Sequence, residues 1–263
     1  MRDVPTSSSA PIPAVRAVLI DMDDTIFDHS LTCRAAIAAL RRGEPYLRRR
    51  SLGELWSEYL GLLDAISPSV LSGAVSVEAA RIERWRRIAL ACGARLSPAE
   101  ARELSQEYRS HYQRLRRAVP GAKQLLERLH DEFPVVVVTN NEVAEQEEKV
   151  RFLGISSLID GLVVSQAVGS AKPDGRIFRV ALGIAGVPPE AATMFGDSWT
   201  SDVLGARGVG VRPVWFNRFH RPSPDHGSVA EVRSLRPLQA ARETILGATV
   251  RAPAGARARA SAL

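Results

Sequence analysis

The feature that most constrains the fold is a short apolar run that ends in a cluster of acids. Residues 15–20 are rich in β-branched side chains and are followed at once by Asp21, Met22, Asp23 and Asp24. Such a run predicts a strand buried on both faces, with the acids in the loop after it. Carboxylates this close repel one another unless a cation or a proton lies between them. The pattern therefore predicts a divalent metal site at the end of a buried strand.

Four further apolar segments are predicted to be strands of the same sheet. They are residues 135–138, 161–164, 193–195 and 213–216, and helical segments lie between them. Alternating strands and helices are typical of an α/β protein with a doubly wound, Rossmann-like parallel sheet. In such folds the functional residues lie at the carboxyl ends of the strands.

The segment between the first and second strands has a different pattern. Residues 30–116 show helical periodicity and no strand pattern, and Ser97-Pro98-Ala99-Glu100 is a capping box that predicts a helix start. We expect a smaller helical domain here, inserted between two parts of an α/β core at residues 14–29 and 117–247. The terminal stretches contain little that packs, so we expect a flexible tail at residues 1–13 and a disordered tail at residues 248–263.

Composition limits the partners and the compartment. The formal charge is +6, but the 35 Lys and Arg are interleaved with 29 Asp and Glu, so we expect a solvated basic surface and no nucleic-acid partner. No apolar run approaches the roughly 18 residues of a membrane span. Cys33 and Cys92 stand alone, which predicts neither a zinc site nor a disulfide. These features predict a cytoplasmic protein with no membrane partner.

More polar residues follow the later strands. Thr139 and Asn140 come directly after the second predicted strand and offer a hydroxyl and an amide to an anion. Asp197 and Asp202 follow the fourth strand, and Lys172 supplies a compact positive charge. We expect these side chains to meet the first acidic cluster at one edge of the sheet, where a cation and an anionic substrate bind together.

The chain resembles the haloacid dehalogenase-like (HAD) superfamily of hydrolases over roughly residues 15–246. Four motifs match in the family's order: Asp21-Met22-Asp23-Asp24-Thr25 for the DxDxT signature, Thr139 for the hydrophilic strand-end residue, Lys172 for the lysine, and Gly196-Asp197 with Asp202 for the acidic motif. Within the superfamily the chain is most similar to capped phosphatases of the pyrimidine nucleotidase and N-acylneuraminate phosphatase-like branch. The resemblance implies that residues 30–116 are a cap and that the substrate is a small phosphorylated metabolite, a sugar phosphate or a nucleoside monophosphate.

The resemblance also implies a role for each candidate residue. Asp21 attacks phosphorus to form an aspartyl-phosphate, and Asp23 protonates the leaving oxygen and later takes a proton from water. Mg²⁺ is expected on Asp21, on the main-chain carbonyl of Asp23 and on Asp197, while Asp202 orients this shell. The phosphate oxygens are expected to be bound by the remaining polar residues, Thr139, Asn140 and Lys172.

Other functions stay open on the sequence alone. A phosphomutase of the same superfamily shares the nucleophile and the metal, and a basic binding protein would keep the fold without turnover. Dehalogenation is disfavoured because relatives with that chemistry need no acid at the position of Asp23. Phosphonate hydrolysis is disfavoured because residues 30–116 contain no lysine for a Schiff base.

Several polar residues have structural interpretations instead. We expect Asp24 to cap the next segment, Asn141 to stabilise a turn and Trp199 to pack. Runs of charge usually form solvated faces, which is the expectation for the arginines of residues 30–116, namely Arg48, Arg49, Arg50, Arg84, Arg86 and Arg87. No histidine is assigned a catalytic role.

Overall fold

Six parallel strands form the central sheet of the structure, a computed structural model that describes residues 14–71, 73–225 and 227–247. The strands are β1 (Ala17–Ile20), β2 (Val135–Thr139), β3 (Gly161–Val164), β4 (Ala192–Gly196), β5 (Arg212–Phe216) and β6 (Ala230–Val232). Their order across the sheet is β3-β2-β1-β4-β5-β6, and every neighbouring pair is parallel. The predicted α/β fold is confirmed. The two predicted tails lie outside the described residues.

Helices account for most of the remaining described residues. They are α1 (His29–Gly43), α2 (Leu52–Leu71), α3 (Val77–Ala91), α4 (Pro98–Arg114), α5 (Ala122–His130), α6 (Val143–Leu153), α7 (Ser165–Val168), α8 (Gly175–Ala185), α9 (Gly205–Gly208) and α10 (Leu238–Leu246). A single π-helical segment, Trp199–Leu204, follows β4. Within the described residues no helix is both long enough and apolar enough to cross a membrane.

Two compact units share the chain. The core unit contains the described residues up to Phe27 and from Ala118 onward, and the helical unit is Asp28–Arg117. The two chain segments of the core unit are tied together where the helical unit is inserted. Phe27 forms an antiparallel bridge with Ala118, and Val119 N donates to Ile26 O at 2.8 Å.

The core unit buries both faces of its central strand. All four residues of β1 are buried, as an uninterrupted apolar run predicts. On one face Leu19 and Val138 pack against Ile177 and Phe178 of α8. Successive side chains of a strand point to opposite faces, so the buried Val18 shows that the second face is covered as well. The buried strand holds its carboxyl end rigidly.

The sixth strand has no counterpart among the predicted strands. β6 has three residues, pairs only with β5 and is exposed at Ala230. A short strand at the sheet edge needs no continuous apolar run, so its sequence lacks the pattern that identifies the buried strands.

The helical unit has a core of aromatic rings. The centroid of Trp85 lies 4.7 Å from that of Tyr108 and 6.0 Å from that of Tyr59. Arg84 is also buried here, and its Nη1 donates to Tyr59 Oη at 3.0 Å. The prediction of a solvated Arg84 is wrong, because the tyrosine supplies both a hydroxyl acceptor and an aromatic face to the guanidinium.

The ends of helices in this unit are satisfied by side chains. The predicted capping box of α4 is confirmed, since Glu100 N donates to Ser97 Oγ and Ser97 N donates to the Glu100 carboxylate. Arg49 and Arg50 donate to the carbonyl oxygens of Cys92 and Ala91 at 3.2 and 2.9 Å. These cations stabilise the last turn of α3, where carbonyl groups lack helical partners.

Candidate active site

Asp21 follows β1 directly and is held in place by three neighbours. Its backbone N–H donates to Phe195 O at 2.9 Å, and Thr25 Oγ1 donates to Asp21 Oδ2 at 3.3 Å. Lys172 Nζ lies 2.6 Å from Asp21 Oδ1. Burial raises the pKa of Asp21 to about 7, although the positive charge of Lys172 lowers it. The carboxyl group is thus poised between its two protonation states near neutral pH.

Lys172 joins two acids and the end of β2. Its Nζ donates to Asp21 Oδ1 and Asp202 Oδ1, each at 2.6 Å, and to Val138 O at 2.8 Å. An ammonium group has three donors, and all of them are used. Burial alone would lower the pKa of Lys172, but attraction by Asp202 and Asp21 outweighs it and raises the pKa above its usual range. Lys172 is therefore a fixed positive charge.

Three carboxylates converge beside this lysine. Asp21, Asp197 and Asp202 bring carboxylate oxygens within 4.8 Å of one another. Burial, followed by repulsion from Asp21 and Asp202, raises the pKa of Asp197 well above its usual value. Oxygen ligands and mutual repulsion fit a hard divalent cation such as Mg²⁺, which would neutralise the cluster.

Both oxygens of Asp202 are engaged by groups of the core unit. Oδ1 accepts from Lys172 Nζ, and Oδ2 accepts from Ser198 N at 2.9 Å. A Cβ atom on Gly196 would overlap the Asp202 carboxylate, so only glycine allows this acid to approach the end of β4. These contacts are those of a residue that orients Lys172.

A tryptophan missed by the sequence reasoning fixes the backbone at Asp197. Trp215 Nε1 donates to Asp197 O at 2.9 Å. Trp199 packs edge-on against Trp215 with ring centroids 5.1 Å apart, which confirms its packing role. Trp215 stands inside a predicted strand, where an aromatic residue is interpreted as core packing, so no local pattern marks its hydrogen bond.

Thr139 and Asn140 lie at the end of β2, close to Lys172. Thr139 is buried as the last residue of the strand. Asn140 Oδ1 accepts from Lys172 N at 2.7 Å, and Asn140 Nδ2 donates to Lys172 O at 2.9 Å. The Asn140 amide thus holds the backbone of Lys172. Since an amide nitrogen carries two N–H donors, a phosphate contact through the second one would leave these bonds intact. Asn141 stabilises the turn as predicted, because its Oδ1 accepts from Glu142 N.

Asp23 is directed toward α6 of the core unit. Its Oδ1 and Oδ2 lie 2.7 and 2.9 Å from Lys149 Nζ, and Oδ2 accepts from Gln146 Nε2 at 3.0 Å. Burial lowers the pKa of Lys149, but attraction by Asp23 and Glu145 outweighs it and raises the pKa. The sequence reasoning missed Gln146 and Lys149. Their i, i+3 spacing places both on one helix face, but a charged helical stretch normally indicates a solvated surface.

Asp24 does not cap the following helix, so that prediction is wrong. The cap of α1 is Asp28, whose carboxylate accepts from Leu31 N at 3.4 Å. Asp24 adopts a φ of 60°, and its N–H donates to Phe27 O at 2.7 Å. The tight turn continues to Phe27 before the helix begins, which places Asp24 too early in the chain to act as the cap.

Comparison with known proteins places the chain in a family. The family model for haloacid dehalogenase-like hydrolases matches residues 15–210. The phosphoserine phosphatase of Thermus thermophilus is 31% identical over 235 residues, which is 81% of this chain and 93% of the relative. The pyrimidine 5'-nucleotidase YjjG of Escherichia coli is 36% identical over 108 residues, 41% of this chain and 48% of that relative.

The fold has close counterparts among solved structures. The crystal structure of the HAD-hydrolase YfnB from Bacillus subtilis, bound to magnesium, superposes with a TM-score of 0.69 at 23% identity. The superposition covers 87% of this chain and 99% of the YfnB chain. At this level of identity the likeness shows a common fold.

Proposed function

Since the chain belongs to the haloacid dehalogenase-like hydrolases, we propose that it is a magnesium-dependent phosphatase acting on a small phosphorylated metabolite. The observation that carries the proposal is the juxtaposition of the Asp21 carboxylate with Lys172 and two further acids. Such a site offers a nucleophile, a fixed positive charge and a set of oxygen ligands to one phosphoryl group. The similarity to a phosphoserine phosphatase and a pyrimidine 5'-nucleotidase makes phosphoserine and nucleoside monophosphates the substrates to try first, with sugar phosphates tested beside them.

Asp21 is the proposed nucleophile. Its oxygen forms a bond to phosphorus as the bond to the leaving oxygen breaks, which yields an aspartyl-phosphate and divides the hydrolysis into two easier steps. Lys172 stabilises the negative charge on the phosphoryl oxygens, and Thr139 and Asn140 at the end of β2 are proposed to help bind them. A phosphate oxygen would replace one acceptor of the saturated Lys172 ammonium group.

The acids beside Asp21 are proposed to hold Mg²⁺. Its ligands would be the carboxylates of Asp21 and Asp197 and the main-chain carbonyl of Asp23, while Asp202 orients the site through Lys172. The cation would supply Lewis-acid stabilisation of the phosphoryl oxygens. Trp215 contributes by fixing the backbone at Asp197.

Asp23 is the proposed acid and base. In the first step it gives a proton to the leaving oxygen, and in the second it takes a proton from the water that attacks phosphorus and releases Asp21. The helical unit is proposed to act as a cap that selects the non-phosphate part of the substrate, because substrate selection in a closed site falls to groups beyond the reacting atoms.

A phosphate-release screen tests this function. Wild-type protein is incubated with phosphoserine, sugar phosphates and nucleoside monophosphates, with Mg²⁺ and with excess chelator. We expect turnover only with Mg²⁺. Asp21→Asn removes the nucleophile with little change in shape and should abolish turnover while the circular dichroism spectrum stays unchanged. Full turnover in chelator, or near-normal turnover by Asp21→Asn, would overturn the proposal.

A pair of model substrates tests the role of Asp23. Asp23→Asn should slow an alkyl phosphate by about a hundredfold, because its leaving oxygen needs a proton. Formation of the phosphoenzyme from p-nitrophenyl phosphate should be slowed far less, since nitrophenolate leaves as an anion. An equal loss of the first step on both substrates would exclude the acid role.

A further inference from the structure

Lys149 is a buried cation to which the proposed catalytic steps assign no role. Its side chain is only 2% exposed, in the middle of α6. A buried ammonium group is costly unless carboxylates compensate it. Asp23 and Glu145 supply that compensation, with oxygens 2.7 and 3.3 Å from Lys149 Nζ. Asp23 and Lys149 therefore determine each other's positions.

The contacts of Asp23 fix the direction of its carboxylate. Lys149 Nζ contacts both oxygens, and Gln146 Nε2 donates to one of them. A carboxylate held on both oxygens by one group cannot rotate without losing a charge-assisted hydrogen bond. We call Gln146 and Lys149 the Asp23 cradle. The cradle decides which way the oxygens of Asp23 face.

The cradle is itself anchored at the end of β2. Asn141 Nδ2 donates to Glu145 Oε1 at 3.3 Å, and the same oxygen lies 3.3 Å from Lys149 Nζ. Glu145 and Lys149 are four residues apart and share one face of α6. Asn141 directly follows Asn140, which holds the backbone of Lys172. One short loop thus positions both a lysine beside the nucleophile and a lysine beside Asp23.

We infer that Lys149 and Gln146 are positioning residues that aim Asp23 at the leaving oxygen. The inference rests on the proposed function, in which Asp23 enters the first step protonated, gives that proton to the leaving oxygen as its bond to phosphorus breaks, and takes a proton back from the attacking water in the second step. A misdirected carboxyl group impairs the reaction most when the leaving oxygen needs the proton. Alkyl phosphates depend on the cradle, whereas the first step with an aryl phosphate does not.

The test compares two substrates in four variants. Lys149→Met removes the ammonium group and keeps the aliphatic length, Lys149→Arg restores a cation, and Gln146→Met removes the second donor. Lys123→Met is the matched control, because Lys123 is an exposed lysine of α5 in the same unit. Turnover of an alkyl phosphate and the pre-steady-state burst of nitrophenolate from p-nitrophenyl phosphate are measured with Mg²⁺ present.

The expected result is a loss that depends on the leaving group. Lys149→Met should lower kcat for the alkyl phosphate at least about tenfold more than it lowers the burst rate, with KM little changed. Lys149→Arg should recover part of the loss, and Lys123→Met should match the wild type. An equal loss on both substrates in folded Lys149→Met protein would overturn the inference, because it indicates a merely structural lysine.

Two comparisons keep the outcome decisive. If Lys149→Met does not fold, Gln146→Met, which removes one neutral donor, must show a smaller loss in the same direction, and the absence of any leaving-group dependence overturns the inference. Asp23→Asn is measured alongside. If it shows leaving-group dependence and the cradle variants do not, the inference alone fails. If Asp23→Asn also lacks it, the proposed acid role fails and the inference fails with it.

Discussion

Asn140 and Lys172 exchange two hydrogen bonds, although 32 residues separate them in the chain. The asparagine amide acts on the lysine's backbone and leaves its ammonium group to Asp21, Asp202 and Val138. Asn140 therefore fixes the position of the Lys172 ammonium group through the backbone and makes no contact that occupies one of its three N–H donors. Residues at the ends of β1, β2 and β4 are joined in this way into one rigid arrangement.

Removing the Asn140 amide should loosen that arrangement. Asn140→Ala leaves the N–H and C=O of Lys172 without their partner, which should cost about 1–3 kcal/mol of unfolding free energy. We also expect a higher KM for the phosphorylated substrate, because Lys172 is no longer held. Asn140→Asp keeps the acceptor for Lys172 N but sets a carboxylate oxygen against Lys172 O, so it should not restore the lost stability. Denaturant unfolding and steady-state kinetics check this, and an unchanged KM in both variants would contradict it.

A methyl group at Gly196 should displace Asp202. In Gly196→Ala the new Cβ overlaps the Asp202 carboxylate, so Lys172 loses one of its two acidic partners. We expect kcat to fall by about tenfold or more. Gly183→Ala is the matched control, since no atom lies within 4 Å of the added methyl in α8. The control should be neutral or stabilising by up to about 1 kcal/mol. Equal activity of the two variants would refute the proposed role of Asp202.

Binding of Mg²⁺ should strengthen as the pH rises. Burial raises the pKa of Asp21 to about 7, so below that pH a proton must leave before the carboxylate binds a cation. Burial and repulsion raise the pKa of Asp197 as well, so more ligand protons must be displaced at pH 6 than at pH 8, which predicts tighter apparent binding at pH 8 by about tenfold or more. Isothermal titration calorimetry at the two pH values measures this. Equal affinities would show that Asp21 releases no proton on binding.

The capping box of α4 offers a test of what one helix start contributes to stability. Ser97→Ala removes the side-chain acceptor for Glu100 N and should lower the stability of the helical unit by about 1 kcal/mol. Ser110→Ala, an exposed position within the same helix, should not destabilise it. Thermal melts followed by circular dichroism compare the two. A Ser97→Ala melt identical to that of the wild type would show that the cap contributes nothing.

The sequence predicts the parts of the fold whose signal is local. The buried strands are visible because apolar residues run without interruption up to a polar residue such as Asp21 or Thr139. The edge strand β6 is not predicted, because a strand that pairs on one side only needs no such apolar run. Helix periodicity likewise identifies α2 and α3, whereas the burial of Arg84 depends on a ring contributed by another helix.

The candidate site divides in the same way. Asp21, Lys172, Asp197 and Asp202 follow strands or match motifs, and the structure brings them together. Lys149 and Trp215 act through contacts with residues distant in sequence, the first with Asp23, 126 positions away. A lysine in a charged helix and a tryptophan in a strand have ordinary structural explanations. Only the tertiary fold shows which of them meets the acidic loop.

The bridge between Phe27 and Ala118 makes the helical unit a cassette with fixed entry and exit points. The entropic cost of closing a loop grows only with the logarithm of its length, so a long insertion destabilises the core little more than a short one. An inserted segment of another size or shape would begin and end at the same two residues, so the residues at the strand ends would keep their positions. Evolution, or a protein engineer, is thereby free to exchange Asp28–Arg117 as one piece without redesigning the catalytic core.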